Sequence, residues 1–173
     1  MKKLWKEILD EITPYEPGRP IEEVKRELGL EKVIKLASNE NPYGPSEKVM
    51  EAIMSAARCA NRYPDGGCFY LREALSGKLS VPGEKIVFGN GSDELIILAL
   101  RAFVHPAEEV IMSDPTFLVY KIGSRIVGAD IKTVPAKNFE YDLEGILQLL
   151  DEAKQEVNRP SLIALRSQIG KGA

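Results

Sequence analysis

Apolar residues recur along this chain at two spacings, and the change from one to the other divides it. Near the start, Leu4, Trp5, Ile8, Leu9 and Ile12 recur at helical spacing until Pro14-Tyr15-Glu16-Pro17-Gly18 breaks the pattern. Pro20 suits the first turn of a short helix through Leu28, which Gly29 can end. Ser38-Asn39-Glu40-Asn41-Pro42-Tyr43-Gly44-Pro45 is a loop dense in turn formers. Ser46 can then cap a helix carrying Val49, Met50, Ile53, Met54 and Ala57 on one face. Asn61 to Gly67 reads as loop again, and Phe69 to Leu79 as another helix. After Pro82-Gly83 short apolar runs alternate with amphipathic stretches. Strand Ile86–Phe88 precedes a Gly loop and a helix around Asp93–Phe103. Strand Val110–Ser113 precedes a Pro-Thr turn and a helix around Leu118–Val127. Strand Ile131–Val134 precedes a helix around Leu143–Val157, and Ser161–Leu165 reads as one more strand. That alternation predicts an α/β sheet, mostly parallel.

Composition narrows the function classes. The 173 residues hold 44% apolar side chains and a net charge of −3, the profile of a folded soluble protein. There is no basic excess of the kind nucleic-acid binding needs, and no run of apolar residues long enough for a membrane span. The first residues carry charges where a signal peptide needs an apolar core, so the expected compartment is the cytoplasm. Cys59 and Cys68 lack metal-ligand spacing and read as small buried or half-buried residues, Cys59 on a helix and Cys68 at a helix start.

The most informative local feature is Phe88-Gly89-Asn90-Gly91-Ser92-Asp93-Glu94, a strand, a Gly-rich turn and a helix start. Unpaired N–H groups and the positive end of the helix dipole favour a phosphate there, and Ser92 can add a hydroxyl. An ordinary strand-to-helix turn capped by Ser92 or Asp93 fits the same residues. A P-loop is excluded, because Gly91-Ser92-Asp93 stands where Gly-Lys-Ser/Thr is required. Glu94 excludes both a dinucleotide fingerprint and a nucleophile elbow around Ser92. His105, the one histidine, precedes Pro106 at a predicted helix end and reads as a helix cap or a solvated polar side chain.

Asp114-Pro115-Thr116-Phe117 follows the next strand, at the sheet edge where open α/β folds bind ligands. Phe117 can offer an aromatic face to a planar cofactor, or pack into the core. In Arg62-Tyr63-Pro64-Asp65-Gly66-Gly67, the hydroxyl of Tyr63 can donate to a phosphate or simply decorate a turn. Asn39, Asn41 and Tyr43 are equally suited to turn formation.

Taken in order, four segments resemble the histidinol-phosphate aminotransferase family. They are Lys35-Leu36-Ala37-Ser38-Asn39-Glu40-Asn41-Pro42-Tyr43-Gly44-Pro45, Arg62-Tyr63-Pro64-Asp65, Gly89-Asn90-Gly91-Ser92-Asp93-Glu94 and Asp114-Pro115-Thr116-Phe117. The likeness runs from about Pro14-Tyr15 to about Leu150. It implies the type I fold of pyridoxal-phosphate enzymes: a three-layer α/β/α large domain with a mostly parallel sheet, here incomplete. Residues 1–34 would be an N-terminal helical arm and residues 35–173 part of the cofactor-binding domain. The resemblance also implies pyridoxal 5′-phosphate as cofactor and amino transfer between histidinol phosphate and glutamate or 2-oxoglutarate, in histidine biosynthesis.

Roles follow position by position from that resemblance. Gly91, Ser92 and Asp93 match the loop that holds the cofactor phosphate, and Phe117 matches the ring that stacks on the pyridine. Tyr63 matches a tyrosine that reaches the phosphate of a neighbouring subunit, which implies a homodimer. Tyr15, Asn39 and Asn41 match segments lining the substrate entrance. No nucleic-acid or membrane partner is implied.

The chain departs from the family after Leu165, where Arg166-Ser167-Gln168-Ile169-Gly170-Lys171-Gly172-Ala173 replaces the expected Asn-Pro-rich segment. No Asp for the pyridine nitrogen and no Ser-x-x-Lys for the Schiff base follow, and nothing around Lys171 matches that lysine motif. The expectation is a truncated product, frameshifted near Asn158, with the cofactor cradle but without the catalytic lysine. The alternatives are a non-catalytic fragment, or a relative acting on aromatic amino acids or threonine phosphate. An unrelated nucleotide-binding α/β domain is disfavoured by Glu94 and by the loops at Asn39 and Tyr63.

Overall fold

The computed structural model describes residues 4–155 and 163–164. The chain divides into two compact units, Glu16–Ile86 and a second made of Met1–Tyr15 with Val87–Ala173.

The second unit is built on a parallel sheet. It contains α4 (Gly91–Phe103), β1 (Glu109–Asp114), α5 (Leu118–Val127), β2 (Asp130–Pro135), α6 (Leu143–Gln155) and β3 (Ile163–Ala164), and among the described residues the strands lie in the order β2-β1-β3. Strand β1 is central: Val110 faces Ile131 on one side and Ile163 on the other. It is buried from Glu109 to Ser113 without alternation, as a strand covered on both faces should be. Ile96, Leu100 and Val104 of α4 and its end join Val110, Met112 and Tyr120 in the core.

Helices α4 and α5 run side by side in the same direction. A Cβ on Gly123 would lie 2.6 Å from Leu100 Cδ1, so glycine allows the close approach there. Further along, the Ala107 amide donates to the Gly128 carbonyl at 2.7 Å. Since Ile97 and Leu100 meet Gly123 while Ala107 meets Gly128, both helices begin at one end of the unit. Because α5 crosses between the parallel strands β1 and β2, that end is the carboxyl edge of the sheet. Helix α6 lies on the opposite face, where Gly145 meets the Val134 side chain. Val134 pairs with Ser113, which points away from Val110 and Met112. The unit therefore has three layers, helix on sheet on helix.

The unit spanning Glu16–Ile86 contains α1 (Ile21–Leu28), α2 (Glu47–Ala57) and α3 (Phe69–Leu79). None of its residues is buried. Gly29 ends α1 in the left-handed region at φ 65°, a conformation glycine takes without steric cost. Arg19 braces α1 through Glu23 and Glu27.

Several expectations need correction. Ile86–Phe88 does not join the sheet: Ile86 is extended (φ −106°, ψ 123°), but its carbonyl accepts from the Arg72 guanidinium. A strand would spend that carbonyl on a neighbour. The apolar period from Leu4 to Ile12 forms only a 3₁₀ helix, Glu7–Glu11, with no buried residue to fix a longer one. Pro20 is the N-cap of α1, one residue before its first turn. Cys59 lies in the turn after α2, which stops at Ala57, and is exposed like the residues of that helix. Of Ser161–Leu165, Ile163–Ala164 form β3; the rest, and the end of the predicted Leu143–Val157 helix, lie outside the described residues. Among the described residues no helix is long and apolar enough to cross a membrane.

Candidate functional site

The Gly-rich turn opens α4. Asn90 is its N-cap and Gly91 its first residue, at φ 83°, where any side chain would be strained. Gly91 N–H donates to Gly89 O at 2.9 Å. The amides of Ser92 and Asp93 follow in the first turn, where no helical carbonyl precedes them, and both residues are exposed. Neither Ser92 nor Asp93 caps this helix. Glu94 does so from inside it: Oε2 accepts from the Asn90 amide at 2.6 Å and from Asn90 Nδ2 at 3.2 Å. Gly89 is required beside it, since a Cβ would stand 2.9 Å from Leu95 Cγ. Asp93 and Glu94 also place carboxylates against the positive helix end, which stabilises the helix and opposes an incoming anion. Beyond Gly91 nothing lies within 4 Å of a Cβ position, so the turn is open on that side.

Phe117 is the N-cap of α5 and follows a cis Asp114–Pro115 bond. The residue is 36% exposed, and its ring meets two others edge to face, Tyr15 and Tyr120, each at 6.3 Å between centroids. Tyr120 belongs to the core, so Phe117 is anchored on that side while part of its surface stays open. Asp114 pairs with Lys121 at 2.8 Å beneath the same turn. The starts of α4 and α5 share one edge of the sheet, so Gly91, Ser92, Asp93 and Phe117 are carried at the same end, with Tyr15 touching Phe117.

The remaining candidates lie in the other unit. Asn41 Oδ1 accepts from the Tyr43 amide at 3.1 Å and its Nδ2 donates to Gly44 O at 3.1 Å, an Asx turn. Asn39 sits at φ 49°. Tyr63 is fully exposed. Two residues on, Asp65 accepts from Gly67 N and Phe69 N, both at 2.9 Å, and holds the start of α3. The Phe69 amide, then the Gly67 amide, keep its carboxyl below the usual range. Arg72 and Tyr120 were not singled out by sequence reasoning. Tyr120 reads as a helical core residue, and Arg72 as one more charge on a helix. At the other end of α4, the His105 amide donates to the buried Glu108 carboxylate at 2.7 Å while its side chain is exposed, in keeping with a surface role.

Comparison with known proteins bears on the family and the fold. The sequence profile of the family described as aminotransferase class I and II matches residues 31–167. Histidinol-phosphate aminotransferase of Moorella thermoacetica is 46% identical over 138 residues, 80% of this chain and 36% of that protein. The same enzyme of Halalkalibacterium halodurans is 48% identical over 141 residues, 82% of this chain and 38% of its own length. The chain thus spans well under half the length of these relatives. A solved structure of histidinol-phosphate aminotransferase from Sinorhizobium meliloti, in complex with pyridoxal-5′-phosphate, superposes with a TM-score of 0.76. It is 24% identical and covers 89% of this chain and 41% of the other, so it speaks for the fold. The three-layer unit is accordingly part of a type I pyridoxal-phosphate transferase fold, and the chain belongs to the aminotransferase class I and II family.

Proposed function

We propose that this chain forms the cofactor cradle of an aminotransferase that moves an amino group between histidinol phosphate and glutamate or 2-oxoglutarate. The observation that carries the reading is the shared sheet edge of Gly91-Ser92-Asp93 and Phe117. An open, glycine-led helix start, whose first amides have no helical acceptor, suits a phosphate, and a half-open ring anchored on Tyr120 suits a flat heterocycle. Both features fit pyridoxal 5′-phosphate. The amides of Ser92 and Asp93 and the Ser92 hydroxyl would hold its phosphate, and Phe117 would stack on its ring. Bound there, the cofactor supplies an electron sink for carbanion chemistry.

Tyr63 would reach a phosphate across a homodimer, and Tyr15, Asn39 and Asn41 would line the substrate entrance. Residues 1–34 would serve as an arm to a cofactor-binding part that begins at Lys35, and the working compartment would be the cytoplasm. No lysine in the 173 residues carries the Ser-x-x-Lys pattern, so the Schiff-base role is assigned to none of them.

The test combines phosphorus NMR with mass spectrometry after borohydride reduction. The chain should broaden the pyridoxal phosphate resonance, and histidinol phosphate should broaden only when cofactor is present. No single lysine should retain the pyridoxyl group, and glutamate should not be consumed. No broadening of either phosphate contradicts the cradle, and one stoichiometrically modified lysine would give the Schiff-base role to one of these residues.

A further inference from the structure

Arg72 lies in the first turn of α3, half buried, and its guanidinium serves carbonyls from separate segments. Nη1 donates to Gly83 O at 2.6 Å and to Ile86 O at 2.5 Å. Nε and Nη2 each reach Gly67 O at 3.4 Å, longer bonds that share one acceptor. Gly83 makes room for the stem, since a Cβ there would stand 3.2 Å from Arg72 Cγ. A planar fork with several fixed donors can serve acceptors in different directions at once; a lysine ammonium cannot reproduce that geometry.

Gly67 closes the loop that carries Tyr63. The Tyr63 ring is fully exposed, so its placement is set by the backbone beneath it. That backbone is held from two sides. Asp65 gathers the Gly67 and Phe69 amides with its side chain and the Cys68 amide with its carbonyl. Arg72 then ties the Gly67 carbonyl to the Gly83–Lys85 turn and to Ile86.

We infer that Arg72 is the positioning residue for Tyr63, linking the Tyr63 loop to the Gly83–Ile86 segment so that the tyrosine hydroxyl is presented to a phosphate from a pre-set backbone. The inference rests on the proposed cofactor role of Tyr63, and its test separates the two.

Hydrogen exchange is measured on the full chain for wild type, Arg72→Lys, Gly83→Ala, Tyr63→Phe and the Arg72→Lys/Tyr63→Phe pair, with and without pyridoxal phosphate. Arg72→Lys should raise exchange about tenfold at Gly67, Cys68 and Phe69 together with Lys85 and Ile86, leaving α1 unchanged. Gly83→Ala keeps the guanidinium but crowds its stem, and should raise the same two segments by less. Unchanged exchange in both variants overturns the link. Cofactor should slow exchange in the Tyr63 loop of wild type, and Arg72→Lys and Tyr63→Phe should each remove that effect, the pair losing no more than either single change. Additive losses would mean that Arg72 acts independently of Tyr63 and would overturn the inference. Absence of any cofactor effect in wild type removes the reading of Tyr63 alone, because the exchange rise in Arg72→Lys still decides the link.

Discussion

The unit from Val87 onward and the unit spanning Glu16–Ile86 hold their shapes by different means. In the first, Leu100, Val110 and Met112 are completely removed from water, and the glycine at 123 lets two helices close over the sheet. In the second, the apolar face of α2 stays open: Val49, Met50, Ile53 and Met54 are 43–61% exposed. Its order comes instead from local polar devices, the Asx turn at Asn41, the Asp65 cap and the Arg72 fork. Apolar burial is cooperative and long in range, whereas caps and turns act over a few residues. The two units should therefore respond differently to the same insult.

The largest difference is expected from truncation of apolar side chains. Leu100→Ala should destabilise by about 2–5 kcal/mol, as for other buried leucines, and flatten the unfolding transition of the sheet unit. Ile53→Ala on the open face should change stability by less than about 1 kcal/mol, because little of its area leaves water. Urea denaturation by circular dichroism compares them, and equal costs would erase the contrast. A smaller effect is expected from overpacking. Gly123→Ala places a methyl group 2.6 Å from Leu100 Cδ1 and should cost about 1–3 kcal/mol, with no effect on exchange in α1.

The smallest effect is a pH response confined to the polar unit. The Asp65 carboxyl is lowered in the folded chain by the Phe69 and Gly67 amides. A carboxyl lowered on folding contributes stability above its unfolded value near 3.8 and loses it as the pH falls through the lower folded value. Corrected for the intrinsic pH dependence of amide exchange, the amides at the start of α3 should exchange faster below about pH 4 in wild type. Asp65→Asn should show that faster exchange already at neutral pH and little further change in acid. A wild-type profile flat down to pH 2 would contradict the cap.

How far the sequence predicts this structure depends on the range of the interaction concerned. Phe69–Leu79 and Leu118–Val127 match their predicted bounds, because turn residues and apolar spacing mark both ends within the segment itself. The strand run at Val110–Ser113 extends by one residue at either end for the same reason. Ile86–Phe88 misleads because a side chain fourteen positions earlier takes the Ile86 carbonyl, and no periodicity records such a bond. At the site, a helix start around Asp93 is legible from glycine and the following apolar period, though the helix begins two residues earlier, at Gly91. The cap is not, since Glu94 reaches back over four residues while Ser92 and Asp93 stand nearer and look better suited. Phe117 at a helix start is likewise readable, but its anchoring against Tyr120 and Tyr15 depends on packing across the unit.

Equilibrium binding of pyridoxal phosphate by ultrafiltration, in wild type, Gly91→Val and Phe117→Ala, tests the cradle most directly. The account predicts weak saturable binding to wild type. Gly91→Val should abolish it, because a branched side chain cannot hold φ 83° at the first residue of α4. Phe117→Ala should weaken it about tenfold by removing the stacking face, while inorganic phosphate binding to that variant stays unchanged. Equal cofactor binding by all three proteins would contradict the account.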